Sequence, residues 1–224
     1  MRVSVTDLDA FRSWRYSEDG SLDELLARLR REEPPTEQML AGSALHAALE
    51  HAEAGEVTTL DRDGFTFHIE ADVSLALPEL REIKAEKVYV VDGLPVVVVG
   101  KVDTLYGNTV DDHKTTSHFD AERFLDTYQW RFYLDIFDAD RFRWNVFEMA
   151  EGAEPRTYRV FGFHQLDQYR YVGMHEDCMD LLREFVAFAR THMPELITGL
   201  PAKSRLEQKL EESLAMAQSA RKAA

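Results

Sequence analysis

The stretch Gly100-Lys-Val-Asp-Thr-Leu-Tyr-Gly-Asn-Thr-Val-Asp-Asp-His-Lys114 decides how this chain folds. Gly107-Asn108 lies between two β-branched, alternating segments, the pattern of a hairpin with a two-residue turn. That turn pairs Tyr106 with Thr109 and sets Asp103 directly opposite Asp112. Side chains facing each other across an antiparallel pair have Cβ atoms roughly 5 Å apart, and like charges there destabilise the sheet. A bound cation removes the penalty. With a side-chain period of two, Lys114 projects from the face of Asp112 and Lys101 from the face of Asp103. The spacing predicts an oxygen-rich cation site beside an amine.

Such a site suits hydrolysis of a phosphodiester. A hard divalent ion held by carboxylates polarises a phosphoryl oxygen and acidifies a bound water, while the lysine orients that water or stabilises developing charge. Oxygen ligands favour Mg²⁺ or Mn²⁺ over thiolate-seeking metals. The competing reading is an acidic turn whose Asp111 and Asp112 merely face water, and spacing alone leaves both open.

Two helical patterns bear on the choice. Residues 117–120 can cap a helix whose apolar stripe includes Leu125, Tyr128, Phe132 and Ile136, with Gln129 and Tyr133 on the same face at i, i+4. A glutamine in a core-facing stripe needs a polar partner, because burying its amide unpaired costs a few kcal/mol; a boundary glutamine reaching backbone or water is the plainer alternative. Upstream, Met39, Gly42, Ser43 and His46 share one face of another helix. Gly42 costs that helix about 1 kcal/mol relative to Ala, which close approach to a sheet would explain. His46 alone reads as readily as a satisfied core residue.

Taken in order, these pieces resemble the PD-(D/E)XK nuclease superfamily, and within it the RecB-like branch of DNA exonucleases. The match runs through Gly42-Ser-Ala-Leu-His46, Gly100-Lys-Val-Asp103, Asp112-His-Lys114-Thr-Thr and Gln129-Trp-Arg-Phe-Tyr133. The resemblance implies an α/β fold, a mixed central β-sheet flanked by helices on both faces, the restriction-endonuclease-like core. It implies His46, Asp103 and Asp112 as metal ligands, joined by the backbone carbonyl of His113, with Lys114 as the catalytic lysine. Gln129 and Tyr133 would support the site and contact DNA, and Lys101 and Arg131 join them as candidates for that role. Val102 stands where the superfamily has its eponymous proline. Relatives that carry an iron–sulfur cluster need four cysteine ligands, and this chain has Cys178 alone. The preferred match is therefore the cluster-free, phage-type exonucleases of recombination.

The activity implied is a Mg²⁺- or Mn²⁺-dependent DNA exonuclease working from DNA ends in recombination or repair, with a single-strand annealing protein and further copies of itself as candidate partners. A structure-selective endonuclease on the same site is the nearest alternative. A catalytically silent nucleic-acid-binding scaffold is the more distant one, and the intact Asp103, Asp112, Lys114 set argues against it.

At 224 residues, 45% hydrophobic and 11% aromatic, the composition is that of one globular domain with ample core material. The net charge of −15 opposes a broad phosphate-coating surface. An enzyme that threads one end of its substrate needs only a local positive groove, and Lys84, Lys87, Lys101, Lys114, Arg123 and Arg131 fall in the segments that build the proposed site. Residues 1–11 carry Asp7 and Asp9 and no apolar core of a secretory signal. The longest apolar run, 94–99, is too short for a bilayer. A reducing cytoplasm is the expected compartment, with no membrane association.

The remaining elements follow from caps and turns. Helices are expected from a Thr6 cap to residue 15, from the Ser21-Leu-Asp-Glu24 capping box to 31, and after Pro34-Pro35-Thr36. Strands are expected over 57–60, 65–70, 80–91, 94–106, 142–149 and 157–163, the run 96–99 being apolar on both faces like a central strand. A long helix is expected over 166–190. The domain is expected to end near 203, followed by a charged helical tail over 204–224.

Overall fold

The computed structural model describes residues 1–52, 58–73, 75, 78 and 80–198. In chain order these form β1 (Arg2–Ser4), α1 (Val5–Arg15), α2 (Leu22–Leu29), α3 (Glu37–His51), β2 (Thr59–Arg62), β3 (Phe65–Ile69), β4 (Arg81–Val91), β5 (Leu94–Tyr106), β6 (Thr109–Thr116), α4 (Ala121–Leu125), α5 (Gln129–Phe137), β7 (Arg141–Glu151), β8 (Thr157–Tyr169), α6 (Met174–His192) and α7 (Pro194–Thr198). The expected tail lies outside the described residues.

The helix starts obey capping chemistry. Ser21 and Thr36 side chains accept from the amides of Glu24 and Met39, at 3.4 and 3.2 Å. The first helix opens earlier than expected, because Ser4 rather than Thr6 takes the cap and accepts from Asp7 N–H at 3.1 Å.

The sheet is mixed, ordered β1-β5-β6-β7-β8-β3-β2, with β4 also on β5. β4 is antiparallel to β5 along almost its whole length. On the opposite edge, β6 pairs with β5 only from Thr104 to Tyr106, while β1 runs parallel to Val97–Val99. Since a strand has two edges, β6 must leave β5 at Asp103, and β1 takes the edge that β6 vacates. The sheet forks there.

Helices cover both faces. One core layer joins α1, α5 and α6 to the sheet through Phe11, Phe132, Trp144, Leu182 and Phe185, all under 2% exposed. The other lies beneath α3 and is built on Leu45, Phe67 and Phe147. Each such side chain contributes roughly 1.5–3 kcal/mol on burial, so both helical layers are firmly held.

Two expectations fail. Residues 166–169 continue β8 instead of starting a helix, because they pair with 141–144 and Asp167 accepts from both Arg141 and Arg143 across the ladder. The helix begins after Gly173, whose φ of 93° suits glycine. The single helix expected after residue 120 is broken into α4 and α5. Asp9 of α1 supplies the cap for the second piece, accepting from Tyr128 N–H at 2.8 Å.

Candidate active site

The fork in the sheet is where the singled-out residues meet. The face of α3 that carries Met39, Gly42, Ser43 and His46 lines a cleft of about 980 Å³, together with Asp103, Asp112, Lys114, Gln129 and Tyr133. Gly42 is what lets α3 come so close: a Cβ there would stand 3.0 Å from Thr115 Oγ1. On the other face, a Cβ on Gly100 would stand 3.2 Å from the Tyr133 ring, so α5 lies directly on β5. Close approach by α3 brings in an imidazole, and close approach by α5 brings in an amide and a phenol.

The two carboxylates sit in different electrostatic settings. Asp103 accepts from the His113 amide and lies 2.9 Å from His46 Nδ1. Burial opposes its ionisation, yet the His46 hydrogen bond and nearby histidine charge hold its carboxyl well below the usual range. Asp112 is 4% exposed. It accepts from Lys114 Nζ and, at 3.0 Å, from Gln129 Nε2, which also lies 3.1 Å from Tyr133 OH. Burial pushes Asp112 up to about 6, with Lys114 opposing and Asp103 adding to the rise. The Lys114 ammonium also lies 5.2 Å from the Trp144 ring.

The expected register holds for Tyr106–Thr109, Leu105–Val110 and Thr104–Asp111, but not for Asp103 opposite Asp112. Pairing ends one step short because the strands part. The acids are thus brought together across a fork and not across a ladder. Neither Asp111 nor Asp112 faces water, so the reading of a solvated acidic turn does not hold. Asp111 accepts from Asn145 Nδ2 at 3.0 Å, and burial raises its carboxyl to about 6.

The His113 ring is buried 6.0 Å from Phe147 and 5.9 Å from the His46 ring, and burial lowers its pKa to about 4. Its backbone matters more here. The N–H and C=O of one extended residue leave a strand on the same edge, so the carbonyl of His113 faces the fork with its amide.

Lys101 lines the cleft but is ion-paired to Glu82. Arg131 is not brought there. Its guanidinium hydrogen-bonds Tyr171 OH at 3.0 Å and lies 4.3 Å from the Trp130 ring, on the α6 side of α5. Two acids in the cleft escaped the sequence reading. Glu50 is one helical turn beyond His46, so extending that face would have found it. Glu82 has a φ of 56° and faces Asp103 at the one step that the β4–β5 ladder skips without a shift of register, a local distortion with no sequence signature.

Among the described residues, no three His, Cys, Asp or Glu side chains form a ready metal cage. The reason is visible in the hydrogen bonds: the Asp103 oxygens are turned to His46 and the His113 amide, and those of Asp112 to Lys114 and Gln129. The donor set still suits a hard divalent cation. It combines two carboxylates, an imidazole and a carbonyl, and Asp112 is a buried carboxyl whose ionisation needs more positive charge than Lys114 supplies.

No protein-family model matches the sequence, and no curated protein matches it. The fold is similar to that of a solved structure, the crystal structure of SSO0001, with a TM-score of 0.51 and 16% identity over 84% of this chain and 76% of that one. At that identity the likeness concerns the α/β fold alone. Among the described residues no helix is long and apolar enough to cross a membrane.

Proposed function

We propose that this protein is a divalent-metal-dependent deoxyribonuclease that degrades DNA from its ends, in recombination or repair within the cytoplasm. The observation that carries the reading is the meeting at the fork of His46 from α3 with Asp103, Asp112 and Lys114 from β5 and β6, beside Gln129 and Tyr133 from α5 on the other face. His46, Asp103, Asp112 and the His113 carbonyl would hold Mg²⁺ or Mn²⁺, which supplies Lewis acidity at the phosphoryl oxygen and acidifies water.

The chain's own groups do the rest. The Gln129 amide orients one Asp112 oxygen, and Lys114 Nζ donates to the other. A water entering beside Lys114 meets an ammonium that fixes its lone pairs and stabilises the charge developing on the phosphate. Tyr133 and Gln129 keep this edge of the cleft polar, while the Trp144 ring limits where the lysine stem can move.

The charge of −15 supports attack at ends. An acidic outer surface repels the phosphate backbone over a Debye length of roughly 10 Å, so productive contact is confined to a strand that enters the cleft. The test is incubation of the purified protein with end-labelled linear DNA and covalently closed circles, with Mg²⁺, Mn²⁺ or chelator. Loss of linear DNA with circles spared is the expected result. Cutting of circles makes it an endonuclease, and binding without cleavage under either ion makes it a scaffold.

A further inference from the structure

Next to the cleft lies a second cavity of about 840 Å³, between α1 and α4. Lys114, Thr115, Arg123 and Gln129 line both spaces, so the second continues the first. At its far end Arg28 borders a third, smaller space that exposes Glu24 and Glu33. Of the arginines in the described residues, only Arg28 and Arg123 have a guanidinium with no hydrogen bond or ion pair; all the others are engaged. In a chain with 41 acidic and 26 basic residues, two guanidinia left unpaired at the two ends of one cavity mark a place kept for an outside anion.

Resting on the nuclease reading, we propose that this cavity is the subsite for the cut strand beside its scissile phosphate, with Arg123 and Arg28 anchoring successive phosphates. The acids around it leave room for that role. Asp126 accepts from Arg12, and Asp9 accepts from a backbone amide, leaving Glu122 as the remaining carboxylate of the wall. Phe124, partly exposed in the wall and backed by the buried Trp144 ring 5.8 Å away, supplies aromatic surface for a base, the usual companion of a basic groove in single-strand binding. The volume falls within the range of about 300–1,000 Å³ of pockets that take small ligands, which suits one or two nucleotides. Beyond Arg28 the exposed Glu24 and Glu33 repel a phosphodiester, so the track ends there and the strand turns out to solvent.

The test is binding of a fluorescent oligothymidylate by the full chain in chelator, across a salt series, beside cleavage with Mg²⁺. Arg28→Ala/Arg123→Ala should weaken binding by about tenfold or more and make the dependence of log K on log salt shallower by about 1.4, at roughly 0.7 per lost contact on a single strand. In cleavage, KM should rise by more than kcat falls. Arg28→Lys/Arg123→Lys should restore the salt slope, and Arg183→Ala, on the far surface of α6, should match wild type. Thermal melting checks folding, and Arg28→Gln/Arg123→Gln replaces the double alanine if that variant does not fold. A wild-type slope and Kd in the double variant overturns the subsite, as does a wild-type protein that does not bind the oligonucleotide. Binding with the predicted slopes but no cleavage would instead overturn the nuclease reading and leave the subsite standing.

Discussion

Asp112→Asn should make the metal-free protein more stable while removing its activity. The Asp112 carboxyl rises from 3.8 to about 6 on folding, chiefly through burial. A folded pKa above the unfolded one means that the native state binds the extra proton. This contribution therefore favours folding below about pH 4 and is lost as pH rises through about 6. A shift of that size corresponds to a penalty of roughly 3 kcal/mol at pH 7. Asparagine resembles the protonated carboxyl but sets an NH₂ against the Gln129 amide, a mismatch worth about 1 kcal/mol. The net gain expected in chelator is about 1–2 kcal/mol at pH 7. Urea melts of both proteins at pH 7.5, 6 and 5 test this: the wild-type penalty falls by about half at pH 5, so most of the variant's advantage should be gone there. Asp111 and His113 titrate nearby with opposite effects on stability, but they are common to both proteins and cancel in the difference. Mg²⁺ or Mn²⁺ should stabilise the wild type and not the variant. A variant less stable than wild type in chelator, or a difference that does not change with pH, refutes the reasoning.

Three further outcomes follow from the same geometry. Lys114→Met should keep its titration with Mn²⁺ while turnover falls by about 10²-fold or more; loss of both would make Lys114 a structural residue. Gly42→Ala should fail to deliver the helix-propensity gain of about 1 kcal/mol, because its Cβ meets Thr115 Oγ1 at 3.0 Å. In a Thr115→Ala background the same change should stabilise, and equal effects in both backgrounds would sink the packing argument. Asp135 accepts from Tyr89 OH at 2.6 Å, Lys87 Nζ at 2.9 Å and His175 Nδ1 at 3.1 Å, and although burial opposes ionisation these donors hold its carboxyl below the usual range. Its stabilising effect is present above the unfolded pKa and lost as pH falls through the folded one, so Asp135→Asn should cost about 1–3 kcal/mol at pH 7 and progressively less in acid melts.

Much of this was legible because it is local. The Gly107-Asn108 turn dictated three ladder pairs, Ser21 and Thr36 announced their helices, and the spacing of Met39, Gly42, Ser43 and His46 marked the face that lines the cleft. What was not legible depends on partners distant in sequence. A three-residue strand such as β1 has too few positions to show a period, and it exists because β6 leaves an edge of β5 open. Leu166-Asp-Gln-Tyr fits a helix or a strand equally well, and the ladder to β7 decides. Arg131 shares its helix with Gln129 and Tyr133 but lies two residues from each, which turns it toward Tyr171. The unpaired state of Arg28 and Arg123 has no sequence signature, since it depends on which acids the fold sends elsewhere.

The fork also sets an order of assembly. The carboxylates and the lysine come from one hairpin, and the Gln129 to Asp112 contact spans 17 residues, whereas His46 reaches Asp103 across 57. Closing the longer loop costs more entropy and tends to come later in folding. A chain emerging from synthesis would thus hold its acids and amine together before the imidazole arrives, and α3 must dock before the ligand set is complete. Under the proposed function, a partly folded copy would cut DNA poorly, because the 57 residues between His46 and Asp103 keep the ligand set incomplete until the domain is whole.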